Sequence, residues 1–164
     1  MRLVEFKETL REIGLGSPPP FHRDGRFIAA LTLGALFCLI WRAWFTNIPI
    51  GHAPIATAVL FSLVIWQPFM EEVLFRGIIQ GYLLKTPLGT KKVVGISTAN
   101  FGATALFSAG HFISHSPEWA VAVIFPSLIF GYFRERHRSA FPAIALHIAY
   151  NGFYLATLSR FALL

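Results

Sequence analysis

Three spacings in this 164-residue chain put polar and ionisable side chains inside otherwise apolar runs. The first is Met70-Glu71-Glu72-Val73-Leu74-Phe75-Arg76-Gly77. Glu72 and Arg76 stand four apart with the acid first, the better orientation for an ion pair along a helix. Glu71 points about 100° away from Glu72 on a helix and cannot share that face equally. One glutamate therefore reads as structural, and the other needs a partner from elsewhere. The second spacing is Phe107-Ser108-Ala109-Gly110-His111, with both rings on one face and small residues between them that let helices approach. The third is His147 and Asn151, one turn apart and projecting the same way.

An ionisable group within an apolar span costs roughly 2.5–3.5 kcal/mol at mid-helix, so these groups should converge inside a bundle. A desolvated carboxylate that shares a water with a histidine is a competent general base for peptide hydrolysis. A second histidine with an asparagine one turn away offers hydrogen-bond donors where an oxyanion would develop. Metal chemistry is the other option, because one glutamate and two histidines are ligand types of a hydrolytic zinc site. The chain has no His-Glu-x-x-His helix, however, and these three donors fall on three separate segments. Two non-catalytic uses of the same charges also stand: a membrane scaffold or immunity-type protein, or a small ion- or proton-coupled transporter. A transporter would show paired repeats or matched broken helices, and the sequence has no internal repeat.

The elements that must position these groups are apolar helices. The chain is 55% hydrophobic and 13% charged with 17 phenylalanines, its mean hydropathy is +0.59, and a soluble domain this small could not hide that much apolar surface. No Asp, Glu, Lys or Arg occurs in Ala43–Met70, Val93–Pro117 or Ser139–Ser159. Each window is long enough for a bilayer core, which needs about 20 apolar residues per helix. The expected fold is an all-α polytopic transmembrane bundle of about five spans. Their ranges are about Phe27–Phe45, Pro54–Leu84 (interrupted by Pro68 and the charges), Val93–Ile113, Trp119–Phe133 and Phe141–Leu163. An amphipathic helix over residues 1–16 precedes them, with Leu3, Phe6, Leu10 and Ile13 at helical spacing. It is expected either to lie in the membrane interface or to pack as a solvated arm. The chain divides into that arm, residues 1–26, and a transmembrane domain, residues 27–164. The apolar runs begin only after this polar stretch, unlike a cleavable leader.

Basic residues orient the spans. Five lie in the arm; Lys85, Lys91 and Lys92 follow the second span, and Arg134, Arg136 and Arg138 follow the fourth. The loops Thr46–Ala53 and Ser114–Glu118 hold none, so the N-terminus is expected in the cytoplasm and the C-terminus outside, against which only Arg160 dissents. The net charge of +6 is thus a topology signal, and no nucleic-acid partner is expected. Cys38, the single cysteine, excludes an internal disulfide or a cysteine-rich metal site. His22, His52, His115 and His137 fall in loops and read as solvated.

In this order on successive apolar segments, Glu71-Glu72-x-x-x-Arg76, Phe107-x-x-x-His111 and His147-x-x-x-Asn151 resemble the motifs of the CPBP family. These are the CAAX-processing and bacteriocin-processing intramembrane endopeptidases. The matched stretch runs from about Pro54 to Asn151. The resemblance implies a glutamate-type peptidase in which Glu71 activates water with His111, and His147 with Asn151 stabilises the oxyanion. Glu72 and Arg76 would brace the site. It implies no required cofactor; the alternative is zinc on Glu71, His111 and His147. The chain is shorter than typical members, similar in size to a subgroup tied to C-terminal sorting signals in bacteria. The expected substrate is therefore a membrane-associated peptide or protein cut near its C-terminus or a membrane-adjacent sorting signal, not a prenylated CAAX tail. The expected location is the bacterial inner (plasma) membrane, with the lipid bilayer as the other partner.

Overall fold

The computed structural model describes residues 3–45 and 56–158. The loop carrying His52, the Pro54 start of the second segment, Arg160 and the chain after Leu158 lie outside them. Helix α1 covers Leu3–Glu12, and a short 3-10 turn, Phe21–Arg23, leads into α2, Gly25–Phe45. Helix α3 runs unbroken over Thr57–Leu83. A loop and a two-stranded hairpin, β1 (Lys92–Val93) with β2 (Ile96–Ser97), precede α4, Thr98–His111. Helices α5 (Pro117–Ala122), α6 (Ile124–His137) and α7 (Phe141–Leu158) complete the bundle.

Three expectations about these elements need correction. Pro68 does not interrupt α3. The helix widens to π-type winding, with hydrogen bonds between residues five apart, over Ser62–Trp66, just before the proline, and again over Val73–Gln80. Such wide turns absorb a missing amide without ending a helix, and they concentrate at functional positions. The third segment does not begin at Val93. Lys92 pairs with Ser97 and Val93 with Ile96 around a Val94-Gly95 turn, both residues having positive φ, 51° and 81°. Helix α4 starts only at Thr98, where the Ser97 side chain accepts from the Asn100 amide and caps it. Its 14 residues span about 21 Å, less than a hydrocarbon core of about 30 Å. The fourth segment is two helices, broken at Val123 three residues before Pro126, whose ring would clash with the carbonyl of Ala122 in a continuous helix.

Among the described residues, α3 is the one helix long and apolar enough to cross a membrane by itself, and Gly25–Ile40 within α2 is a shorter apolar helix. Both carry bare apolar faces. Leu33, Leu39 and Ile40 on α2 and Val59, Phe61 and Trp66 on α3 are all about half exposed.

The core forms where α2, α6 and α7 meet, from Phe27, Ala30, Phe130, Phe133, Ala143, Leu146 and Tyr150. Tyr150 is held by its hydroxyl, which donates to the Ala30 carbonyl at 2.7 Å, and by Phe130 at 5.5 Å. Gly34 lies against that fixed ring. The arm packs on the rest as a solvated arm would: α1 is exposed, and Ile13 and Gly14 plug into the bundle. Ile13 lies over Gly77 of α3, where a Cβ would meet its carbonyl at 2.9 Å. The Gly14 carbonyl accepts from the Ala140 amide and the Ser139 hydroxyl. Buried Arg134 donates to the carbonyls of Arg76 (3.0 Å) and Glu12 (3.2 Å), tying arm to α3. Asp24 pairs with Arg136 and His137, and the Arg136 guanidinium lowers its carboxyl to about 2.

Two stability effects follow. In Gly34→Ala the new methyl would stand 2.0 Å from the Tyr150 ring, so this variant is expected to lose about 1–3 kcal/mol, seen as a lower melting temperature in detergent. Val94→Asn should gain about 1 kcal/mol in the same assay, because a β-branched residue is strained at positive φ and asparagine is not.

Candidate active site

Glu72 and Arg76 are wholly buried in α3, with Arg76 Nε 3.3 Å from Glu72 Oε2. The contact is an ion pair without hydrogen-bond alignment, since neither atom has a hydrogen-bond partner among the described residues. Other helices supply what the pair lacks. Arg76 Nη2 donates to the Ser127 carbonyl (3.1 Å) and hydroxyl (2.8 Å) on α6. Ser127 in turn donates to Thr104 on α4, and Thr104 to Asn100, whose amide reaches the Leu128 carbonyl. The guanidinium also lies over the rings of Phe107 (5.2 Å) and Phe130 (5.8 Å), favourable cation–π positions.

His147 of α7 completes the arrangement. Its Nδ1 is 2.9 Å from Glu72 Oε1, and its Nε2 is 3.8 Å from Glu71 Oε2. As a carboxylate only accepts, Nδ1 carries the hydrogen, and Nε2 is the edge turned toward Glu71. Phe130 stacks on the imidazole at 5.0 Å and fixes its plane. Glu71 is one-third exposed where Glu72 is sealed, so the two neighbouring carboxylates have opposite surroundings.

Glu71 lines a groove of about 260 Å³ with Gln67, Phe75, Phe107, Gly110, His111, Ser114 and His115. His111 donates from Nδ1 to the Phe107 carbonyl (2.9 Å), which leaves Nε2 with its lone pair free to take a proton. The Phe107 ring stands between the histidines, 4.5 Å from His111 and 5.8 Å from His147. Asn151 has an unforeseen partner. Its side-chain amide donates to the Leu63 carbonyl of α3 at 2.9 Å. In the wide turn there, Gln67 bonds back to Ser62, so Leu63 would be served next by Pro68, which has no amide hydrogen. Asn151 fills that vacancy with one of its two hydrogens.

The structure thus gathers Glu71, Glu72, Arg76 and His147 into direct contact, sets His111 across the groove from Glu71, and places Asn151 one turn along from His147. His115 is exposed in the loop after α4, as expected, and its ring also lies 5.2 Å from His111 and lines the groove. Partial burial and then the neighbouring His111 lower its pKa from the ordinary value. The i,i+4 spacing to His111 was its signal. Ser127, Thr104, Asn100 and Phe130 were not foreseen. Zinc does not fit this arrangement: among the described residues no group of three His, Cys, Asp or Glu side chains is close enough to hold a metal. The Phe107 ring packs against both histidines.

A family model, the type II CAAX prenyl endopeptidase Rce1-like family, matches residues 53–153, a stretch that holds every one of these side chains. The chain belongs to that family. It is a member of the wider CPBP group, is embedded in the membrane, and shares the group's CAAX-type intramembrane protease character. No curated protein and no solved structure matches the chain.

Arg76→Met should destabilise the protein by about 3–5 kcal/mol, because it strands the buried Glu72 charge. Glu72→Gln combined with Arg76→Met should recover part of that loss. Denaturant titration in micelles would read both.

Proposed function

We propose that this chain is an intramembrane endopeptidase in which Glu71 is the general base. The observation that carries the reading is the split between two adjacent carboxylates: Glu72 is sealed by Arg76 and His147, and Glu71 is the one open to the groove. A water in the groove gives its proton to Glu71, assisted by the free Nε2 of His111, and the oxygen adds to the peptide carbonyl. The second amide hydrogen of Asn151 is the candidate donor to the resulting oxyanion, joined by the Nε2 edge of His147 in the ring form that carries a hydrogen on both nitrogens. The proton held by Glu71 then passes to the amide nitrogen, the C–N bond breaks, and an acid and an amine leave. Glu72 positions His147 from behind. Arg76 positions Glu72.

The catalytic unit in this reading is residues 27–164, a bundle of about five crossings with the arm on the cytoplasmic side. Short α4 and the split α5–α6 pair count as crossings because they are completed by the loops and by the arm that plugs the bundle. The substrate is a membrane-associated peptide or protein cut near its C-terminus or beside a sorting signal, and the membrane is the bacterial plasma membrane.

Glu71→Gln should lower cleavage by about 10²–10⁴-fold with the fold intact, as expected for loss of a general base. The measurement compares new protein termini in membranes carrying wild type or the variant at equal expression; identical termini would end the reading. Exhaustive chelation should leave activity unchanged, and a loss restored by zinc would replace Glu71 as base with a metal-bound water.

A further inference from the structure

The bundle has two unlike ends. At one end the arm, the α3–α4 loop and the α6–α7 corner are joined by direct contacts. Lys85 meets Glu12 at 3.1 Å, Arg136 and His137 meet Asp24, and Ser139 donates to Gly14. This end gathers Lys85, Lys91, Lys92, Arg134, Arg136 and Arg138, besides the basic residues of the arm. At the other end α4 finishes at His111, and the connection Phe112–Val123 carries Glu118 but no Lys or Arg. Helices α3 and α4 run antiparallel between the ends: Leu83 packs on Gly102, Phe75 on Phe107, and Gln67 and Glu71 face Gly110–His115 across the groove.

The groove therefore opens at the end poor in basic residues, where Arg42, three residues before the end of α2, stands against the six of the other end and those of the arm. Ser114 and His115 form its rim and Phe107 its floor. On the basic side the way to Glu71 is filled by sealed groups, the Glu72–Arg76 pair, Gln80 and Arg134, with Ile13 packed over Gly77. Lys- and Arg-rich loops stay in the cytoplasm.

We propose that the site takes its substrate from the non-cytoplasmic face, as an extended polypeptide segment that emerges there beside the bilayer. The inference rests on the peptidase reading for the word substrate, but the face is set independently. Glu71 lies about 20 Å from the Thr57 end of α3, too deep for a folded domain and within reach of an extended chain.

The test uses the full chain in sealed vesicles of both orientations. An impermeant maleimide should modify Ser114→Cys only in right-side-out vesicles and Val94→Cys, on the basic end, only in inside-out ones. Wild type, whose single Cys38 is buried, sets the background. The reverse pattern, or labelling of both variants from both sides, would overturn the proposal. Charged, quenched fluorescent peptides added outside should then be cut by wild type in right-side-out vesicles and not by Glu71→Gln. Cutting only in inside-out vesicles would overturn the proposed face and leave the peptidase standing. Equal rates for wild type and Glu71→Gln would instead remove the peptidase, with the maleimide pattern still deciding where the groove opens.

Discussion

A carboxylate and a guanidinium with no exposed surface, four residues apart on one helix, constrain the other helices around them. Each charge would be prohibitive in an apolar interior unless paired and hydrogen-bonded. The partners come from every direction. Ser127 and Phe130 stand on α6, Phe107 and Thr104 on α4, and His147 on α7. Helix α3 adapts its own winding to this. Glu72, Arg76 and Gln80 are all fully buried, though residues eight apart on an α-helix stand about 80° apart. The wide turn over Val73–Gln80 reduces that angle and aligns the three toward the same neighbours. Glu71 is left on the flank, held near His147 but open to the groove.

The arm solves a problem of level. Counting along straight helices from the basic end, His147 comes about 9 Å into α7, and Glu71 about 18 Å from the end of α3. They nevertheless nearly touch. The reason is the plug: Gly14 holds the start of α7 through Ser139 and Ala140, and its neighbour Ile13 rests on Gly77, already well up α3. Helix α7 thus begins deeper in the bundle, which brings His147 beside Glu72. Gly14 has a φ of 76°, a conformation that other residues rarely adopt, and a Cβ there would meet the Ala140 amide at 2.9 Å.

The motifs were legible because helical spacing converts directly into a shared face. Glu72 with Arg76 and His147 with Asn151 needed no tertiary knowledge to be paired. What surrounds them was hidden for a physical reason. Ser127, Thr104 and Asn100 are small polar residues in apolar runs, and nothing local separates a serine that anchors a guanidinium from one that merely eases packing. The hairpin at Lys92–Ser97 was read as helix because an apolar run does not reveal its backbone. Val94-Gly95 is a poor turn sequence, with only the glycine suited to positive φ. The plug was hidden because Gly77 and Gly81 look like ordinary helix glycines until Ile13 and Glu12 are seen against them.

Asn151 shows how a local defect becomes part of a site. Pro68 lies one turn before Glu72 and withholds an amide hydrogen from the helix that carries the proposed base. The wide turn before it leaves the Leu63 carbonyl short of a donor in apolar surroundings, where an unsatisfied carbonyl is costly. Asn151 supplies that donor, and in doing so fixes the upper half of α7 against α3. His147, one turn lower on α7, is fixed against the same helix by Glu72. Two hydrogen bonds on either side of Pro68 therefore set both the height and the rotation of α7. An asparagine that serves as helix–helix glue and the proposed role of the same asparagine as an oxyanion donor do not compete. The first hydrogen holds the side chain still, and that immobility is what the proposed role of the second would require.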